Sequence, residues 1–424
     1  MRRLVLVLLM PCVVLSACQP AQLKFERQVK TTLERQADMA YVVYQDAWTL
    51  SKRLSSIIRL FVEEPTVSHM VAARKAWLNA RETYLLTRVY RSAINNLEQD
   101  AKQEDLKQAY TRIDGWPIKE AAIDYVANDI DGDVGFPLVL GGKPFNLIAA
   151  DEALPALNST VLAELQNKQE QVLTGFHVIE FLLWGQDLNQ DLTANPIRDA
   201  SPGQRSLADY FSAQEQGLCR SGDKVVAFKV CQRRAELLVV VADLLVDDLY
   251  NIMSAWEPEQ GVFHNALNAQ PQTGLLALLD GFAEQLQQTT LLVEPLEASQ
   301  EWEESDFSDN THRDIVLPIK GLENVYRGSY KQLNSEMFEV EGLQKLIYSL
   351  QQAELAGRFE QQLQDTAGSL LMFDILANSG TPFDMQIQTK HGQENIAAAK
   401  QSLTKMVEIL REMRAIFTNA FVSS

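Results

Sequence analysis

The stretch from Phe25 to Glu64, FERQVKTTLERQADMAYVVYQDAWTLSKRLSSIIRLFVEE, decides the fold. Its apolar positions Leu33, Ala37, Ala40, Tyr41, Tyr44, Trp48, Leu54, Ile58 and Phe61 recur at steps of three and four, without an internal Gly or Pro. Such spacing gathers them on one stripe of a long amphipathic helix. Residues 67–95, 152–185, 230–255, 271–296, 339–377 and 393–421 repeat the pattern, and strand-like alternation is nearly absent. Long helices with mostly short connections imply antiparallel bundles, and no repeat of fixed period points to a solenoid. The expected fold class is all-α, with two packed helical-bundle domains.

Two stretches break the helical texture. Residues 129–144, rich in Gly and ending GGKP, read as an excursion within a domain, and residues 193–223, containing NPIRDASPGQR, read as a boundary. The division expected is an N-terminal bundle over 25–195, a boundary segment over 196–223 and a C-terminal bundle over 224–424. A length of 424 residues allows two or three domains at ~100–200 residues each. The 38 Lys+Arg against 56 Asp+Glu give a formal charge of −18, with no basic block. Binding a phosphate backbone needs clustered cations, so no nucleic-acid partner is expected.

Residues 1–17 lie outside either bundle. MRRLVLVLLMPCVVLSAC joins two arginines to an apolar run and a small-residue stretch ending in Cys18. The run is short of the ~20 apolar residues that span a bilayer, so it reads as an export signal. Leu15-Ser16-Ala17-Cys18 resembles a bacterial lipobox, cut before the cysteine, which then carries lipid; the alternative is a secreted protein cut nearby. The expected location is the cell envelope, lipid-anchored and periplasm-facing, at the outer membrane in a Gram-negative host. Loss of Arg2 and Arg3 with the signal makes the mature chain more acidic still. Beyond Cys12 and Cys18, Cys219 and Cys231 remain, and a lone pair in an oxidising compartment reads as a disulfide.

The candidate chemistry lies in Thr174-Gly175-Phe176-His177-Val178-Ile179-Glu180-Phe181-Leu182-Leu183-Trp184-Gly185, an apolar helical segment holding one histidine and one glutamate. Three residues apart, His177 and Glu180 share a helix face. An imidazole and a carboxylate so placed can share a metal ion, or satisfy each other in a core. Gly175 removes a side chain and lets another helix or a ligand approach. A third ligand comes from a short list. His312 closes a polar cluster with Asp309, which offers either ligands or helix-capping and turn chemistry, before a helix start marked by Pro318. His69, His264 and His391 are expected to face solvent. In RIDGWPIKEAAIDYV, Glu120 and Asp124 stand one helical turn apart as additional ligands or as solvated groups, and Trp116-Pro117 is expected to start that helix.

Gly175, His177 and Glu180, followed by FLLWGQDLN, resemble the G-x-H-x-x-E signature of the imelysin family. The likeness extends to Trp77-x-x-x-Arg81-x-x-Tyr84, GWPIKEAAIDYV, FSDNTHRDI, GLENVYRGSY and Thr381-Pro382-Phe383-Asp384, most of the mature chain. One departure is Arg88, where family members often carry an acidic residue. The resemblance implies an all-α protein of two bundles with the signature helix near their interface. It also implies an iron-regulated envelope protein, or a metallopeptidase of the kind described for some members. A zinc peptidase needs a third protein ligand, an open coordination position and a base. No H-E-x-x-H is present to supply that base, whereas iron binding needs only suitable donors. The function expected is therefore binding of a metal ion, iron first and zinc as the alternative, in iron acquisition alongside other iron-uptake envelope proteins. A zinc endopeptidase is the second reading, and an envelope interaction protein without metal the third.

Overall fold

A computed structural model describes residues 15–97, 101–126, 138–140, 143–148, 157–169, 171–187, 200–211, 218–222, 224–293 and 303–422. Within them the chain is all-α, with fifteen α-helices and three two-stranded hairpins. The first half holds α1 (Leu15–Glu63), α2 (Val67–Leu85), α3 (Arg88–Asn95), α4 (Ala101–Asp114), α5 (Glu120–Ile123), α6 (Ser159–Gln169) and α7 (Phe176–Trp184). The second half holds α8 (Phe228–Ala255), α9 (Val262–Asn268), α10 (Pro271–Val293), α11 (Thr311–Arg327), α12 (Leu343–Ser349), α13 (Ala353–Asn378), α14 (Phe383–Ile387) and α15 (Lys390–Val422). The hairpins pair β1 (Leu138–Leu140) with β2 (Lys143–Phe145), β3 (Leu218–Ser221) with β4 (Lys224–Ala227), and β5 (Ser329–Lys331) with β6 (Met337–Glu339), each antiparallel.

The long helix α1 packs on helices of both halves along a continuous apolar stripe. Leu33, Ala37, Ala40, Tyr44, Leu54, Ile58 and Phe61 are all fully buried. Towards its C-terminal end α1 packs on α2 and α8; nearer its N-terminus it meets α9, α10 and α15, with Phe25 against Phe417 and Phe421. A layered group of α3, α10, α15 and α13 follows. Gly281 on α10 brings that helix close to α3, since a Cβ there would meet the Ala93 nitrogen at 2.8 Å. Helices from both sides of 196–223 share α1, and α8 also packs on α4 and α7, so packing crosses that segment.

Several expected helices are shorter than their periodicity suggests. The 67–95 stretch breaks at Leu86 and Thr87, and 152–185 is interrupted before α7. Pro318 does not start a helix: α11 begins at Thr311 and carries Pro318 inside it, forgoing one backbone hydrogen bond. Helix α5 ends at Ile123, with Asp124 extended beyond it (φ −142°, ψ −171°), so Glu120 and Asp124 do not share a helical face. Trp116-Pro117 is a cis peptide four residues before α5 begins and not its first turn. The 129–144 excursion and the 1–17 leader lie largely outside the described residues. No helix among those described is long and apolar enough to cross a membrane.

Candidate functional site

All nine residues of α7 are buried, including His177 and Glu180. Its entry requires Gly175, at φ +92°, where a Cβ would stand 2.1 Å from the Arg112 carbonyl oxygen and 2.5 Å from that of Ile113. The last turn of α4 therefore runs directly against the start of α7. At the far end, polar side chains satisfy carbonyls that a helix terminus leaves without partners. Arg74 donates to Leu183 and the Tyr210 hydroxyl to Leu182 at 2.7 Å, while Arg205 adds to the Gly185 N–H on the Phe181 carbonyl. Trp77 Nε1 donates to the Phe176 carbonyl at 2.8 Å.

His177 sits between two carboxylates. Its Nδ1 donates to Glu180 Oε2 at 3.2 Å, and its Nε2 stands 3.5 Å from Asp114 Oδ1. The Trp116 ring packs on the imidazole with centroids 4.9 Å apart. Glu180 Oε1 accepts from the Ser308 backbone N–H at 3.0 Å and from its hydroxyl at 2.6 Å. Asp114 is the hub: Arg81 donates to Oδ1, and Arg88 and Arg91 donate to Oδ2 at 2.9 and 3.3 Å. Arg81 also reaches Asp314 at 2.8 Å, while Arg88 reaches Glu304 at 2.5 Å.

The electrostatics follow from burial offset by partners. Burial presses the His177 imidazolium towards neutrality and Arg81 adds to that, but the Asp114 and Glu180 carboxylates prevail and hold its pKa above the ordinary value. Burial raises Asp114, yet Arg81 and Arg88 overcome it and hold the carboxyl well below the usual range. Glu304 is likewise lowered against its burial, chiefly by Arg88. Asp314 goes the other way: burial, with Glu304 nearby, pushes it up to about 6 despite Arg81.

The remaining expected site residues lie elsewhere. Of the segment FSDNTHRDI, it is Ser308 and Asp314 that enter the centre. Thr311, Asp314 and Ile315 form the buried face of α11, and His312 turns to its flank. There His312 Nδ1 meets the Asp309 carbonyl at 3.0 Å and Nε2 stands 3.5 Å from Asp374, and burial lowers its pKa. Asp309 holds a left-handed backbone, φ +58°. Asp124 belongs to a second buried network with Arg205 and Arg234, at 2.8 and 2.7 Å, beside Asp209 and Ser221. Glu120 begins α5. His264 does not face solvent: it is buried, 3.2 Å from Asp38. Cys219 and Cys231 are joined by a disulfide, Cα atoms 6.4 Å apart, between β3 and the start of α8. Cys18 falls within α1.

The donor set near His177, one imidazole and several carboxylates, is of the type iron takes. Most of these donors already have partners within the protein. Three guanidiniums hold Asp114, Ser308 and His177 Nδ1 hold Glu180, and His177 Nε2, buried 3.5 Å from Asp114, makes no hydrogen bond. Among the described residues no three His, Cys, Asp or Glu side chains form a metal-holding group.

Arg81 and Asp314 lie in segments of the family resemblance, but neither they nor Asp114 and Glu304 are candidate site residues in the sequence reading. Arg81 had a readable signal, since it falls in the buried row Met70, Ala73, Trp77, Arg81, Tyr84 of α2, and an arginine in an apolar stripe requires a buried partner.

Among solved structures the fold is similar to a candidate iron-regulated protein A precursor from Parabacteroides distasonis ATCC 8503, at 16% identity and a TM-score of 0.62, covering 92% of this chain and 95% of that one. It is also similar to an imelysin-like protein from Psychrobacter arcticum 273-4, at 14% identity and a TM-score of 0.54, covering 91% and 93%. No curated protein sequence matches. The family model described as Imelysin, a peptidase family in its designation, matches residues 40–410, and the chain accordingly belongs to the imelysin family.

Proposed function

We propose that this chain is an exported, lipid-anchored envelope protein that acts in iron acquisition by binding, not by peptide hydrolysis. The observation that carries the reading is the arrangement around His177: a buried imidazole held between Glu180 and Asp114, with the carboxylates compensated by Arg81, Arg88 and Ser308. A metallopeptidase needs ligands free to hold a Lewis acid, an open position for water and a base. Here Glu180 is taken by Ser308 and His177 Nδ1, and Asp114 is held by three arginines. His177 Nε2 alone keeps no hydrogen bond, which is fewer free ligands than a catalytic metal requires. Rigid, charge-balanced networks of this kind suit recognition, because they present fixed donors without rearrangement. The role in iron handling draws on the iron-regulated neighbour, and export draws on the leader and on that neighbour's description as a precursor.

The test compares the purified protein with His177→Ala for proteolysis, with and without chelator, and for iron uptake by cells carrying each form. No proteolysis, together with impaired uptake in the variant, is the expected result. Chelator-sensitive cleavage abolished by His177→Ala would establish the zinc endopeptidase reading instead. Unimpaired uptake with no cleavage would favour the interaction protein.

A further inference from the structure

Beside the His177 centre, between α3 and α10, opens a cavity of about 190 Å³. Arg88, Arg91, Asp114, Trp116, Gln288 and Glu304 are among its walls. We propose that this cavity binds a small oxyanion, a carboxylate or a phosphate, with Arg88 and Arg91 as its donors and the Trp116 ring as its apolar wall. The assignment rests on the binding reading above and names the class of ligand that the centre takes.

The argument begins with unused donors. A guanidinium carries five N–H groups. Arg88 spends one terminal nitrogen on both Asp114 and Glu304; its Nε has no acceptor among the described residues but is closed off from solvent, so the guanidinium end is what Arg88 presents at the cavity. Arg91 gives only NH1 to Asp114, at 3.3 Å, and keeps 29% of its side chain exposed at the cavity. The carboxylates of the same walls have little left to offer. Asp114 is held by Arg81, Arg88 and Arg91, and Glu304 by Arg81 and Arg88. Gln288, also in the wall, donates to Glu284 at 3.1 Å. A cation entering here meets guanidiniums, whereas an oxyanion meets the N–H groups of Arg91 that Asp114 does not take. Arginine's planar fork matches a carboxylate or phosphate with two parallel hydrogen bonds.

Size selects further. Drug-sized ligands occupy about 300–1,000 Å³, so this space takes a small acid and excludes a peptide chain. Trp116 carries the coupling, because one ring both lines the cavity and packs on His177 at 4.9 Å. An oxyanion seated against Arg88 and Arg91 therefore presses on the imidazole through the indole.

The experiment is calorimetric titration of the purified protein with acetate, succinate, citrate and inorganic phosphate, with tryptophan fluorescence followed in parallel. At least one anion should bind saturably with a Kd of roughly 1 mM or tighter. The carboxylates and phosphate separate the two sources of that chemistry. Arg91→Gln, which alters a partly exposed residue with a single ionic partner, should weaken binding about tenfold or more while leaving the melting temperature near wild type. Trp116→Phe should keep the heat of binding and lose the fluorescence change. Absence of saturable heat with all four anions would overturn the proposal, as would binding unaffected by Arg91→Gln. Either failure leaves the proteolysis and uptake results untouched. Conversely, proteolysis by the wild type would defeat the binding reading while anion titration still reported on the cavity.

Discussion

Glu180 and Ser308 stand 128 residues apart, and one carboxylate oxygen of Glu180 takes both the backbone N–H and the hydroxyl of Ser308, at 3.0 and 2.6 Å. That pairing ties the signature helix α7 to the loop leading into α11. The other oxygen takes His177, so the glutamate spans two parts of the fold and is spent as a structural acceptor. Asp314, six residues beyond Ser308, meets Arg81 on α2 and closes the same frame from the other side. The centre is thus assembled from α2, α3, α4, α7 and the start of α11, none of which could build it alone.

Ser308→Ala removes the hydroxyl and keeps the backbone donor. A buried charged acceptor that loses one of its hydrogen bonds costs about 1–3 kcal/mol. Urea unfolding should show that loss, and Ser308→Thr should recover most of it by restoring the hydroxyl. Equal stability of the alanine variant and wild type would mean that the backbone donor alone satisfies Glu180.

Arg81 makes a stronger prediction. Removing one partner from a buried ionic group leaves the others uncompensated, at a cost of about 3–5 kcal/mol. Arg81→Met leaves Asp114 with Arg88 and Arg91 but deprives Asp314 of its guanidinium. Arg81→Met combined with Asp314→Leu should therefore be less destabilised than the sum of the single changes. A double-mutant cycle in urea measures that coupling, and simple additivity would count against the frame.

The sequence displays much of this, because the 3.6-residue period reads helices and their buried faces directly. Leu33, Ala37, Tyr44, Leu54 and Phe61 were legible as a core stripe before any coordinates. His177 and Glu180 were legible as a pair because both are polar in an apolar helix. What periodicity cannot read is where a helix stops for tertiary reasons. The 152–185 pattern is interrupted between α6 and α7, where Gly175 takes φ +92° with α4 carbonyls in the space a Cβ would need. Nor can it read partners across long separations. In the polar cluster at 308–314, His312 and Asp309 read as the ligand-type side chains, yet the register of α11 turns Asp314 inward and His312 towards Asp374.

The proposed anchor has a direct check. Cys18→Ser should move the protein from the membrane fraction to the soluble envelope fraction. Unchanged partitioning of the variant would defeat lipidation at that cysteine.

The disulfide closes a segment with a sequence separation of 12, for which the chain-entropy model gives ~3 kcal/mol. Its hairpin carries Ser221, which accepts from Arg234 at 2.7 Å, and Gly222, whose N–H donates to Asp209 at 3.2 Å. Reduction should therefore loosen the Asp124 network first and lower the melting temperature of the whole chain. Anion binding at Arg88 and Arg91, in the other network, should change less than stability does. A loss of binding that exceeds the loss of stability would assign the disulfide a role in the site.

Stability should vary with pH in a way that separates His177 from its carboxylate partners. Its folded-state pKa is raised, so the native protein holds the proton more tightly than the unfolded chain does. That contribution is fully present below the unfolded value of about 6.5 and is lost as pH rises through the folded one. Asp314, pushed up to about 6, has the same sign: its contribution is present at acid pH and fades as pH rises through about 6. Asp114 and Glu304 have the opposite sign, because their lowered values give stability above the unfolded carboxylate range that is lost as pH falls through the folded ones. Urea unfolding of wild type and His177→Gln from about pH 5 to about pH 8 should show the two curves converging as pH rises. The ring carbons of His177 should titrate above the ordinary histidine value by NMR. A separation between the curves that is constant across the range would mean that His177 folds neutral, held in place by packing against Trp116 and not by its charge.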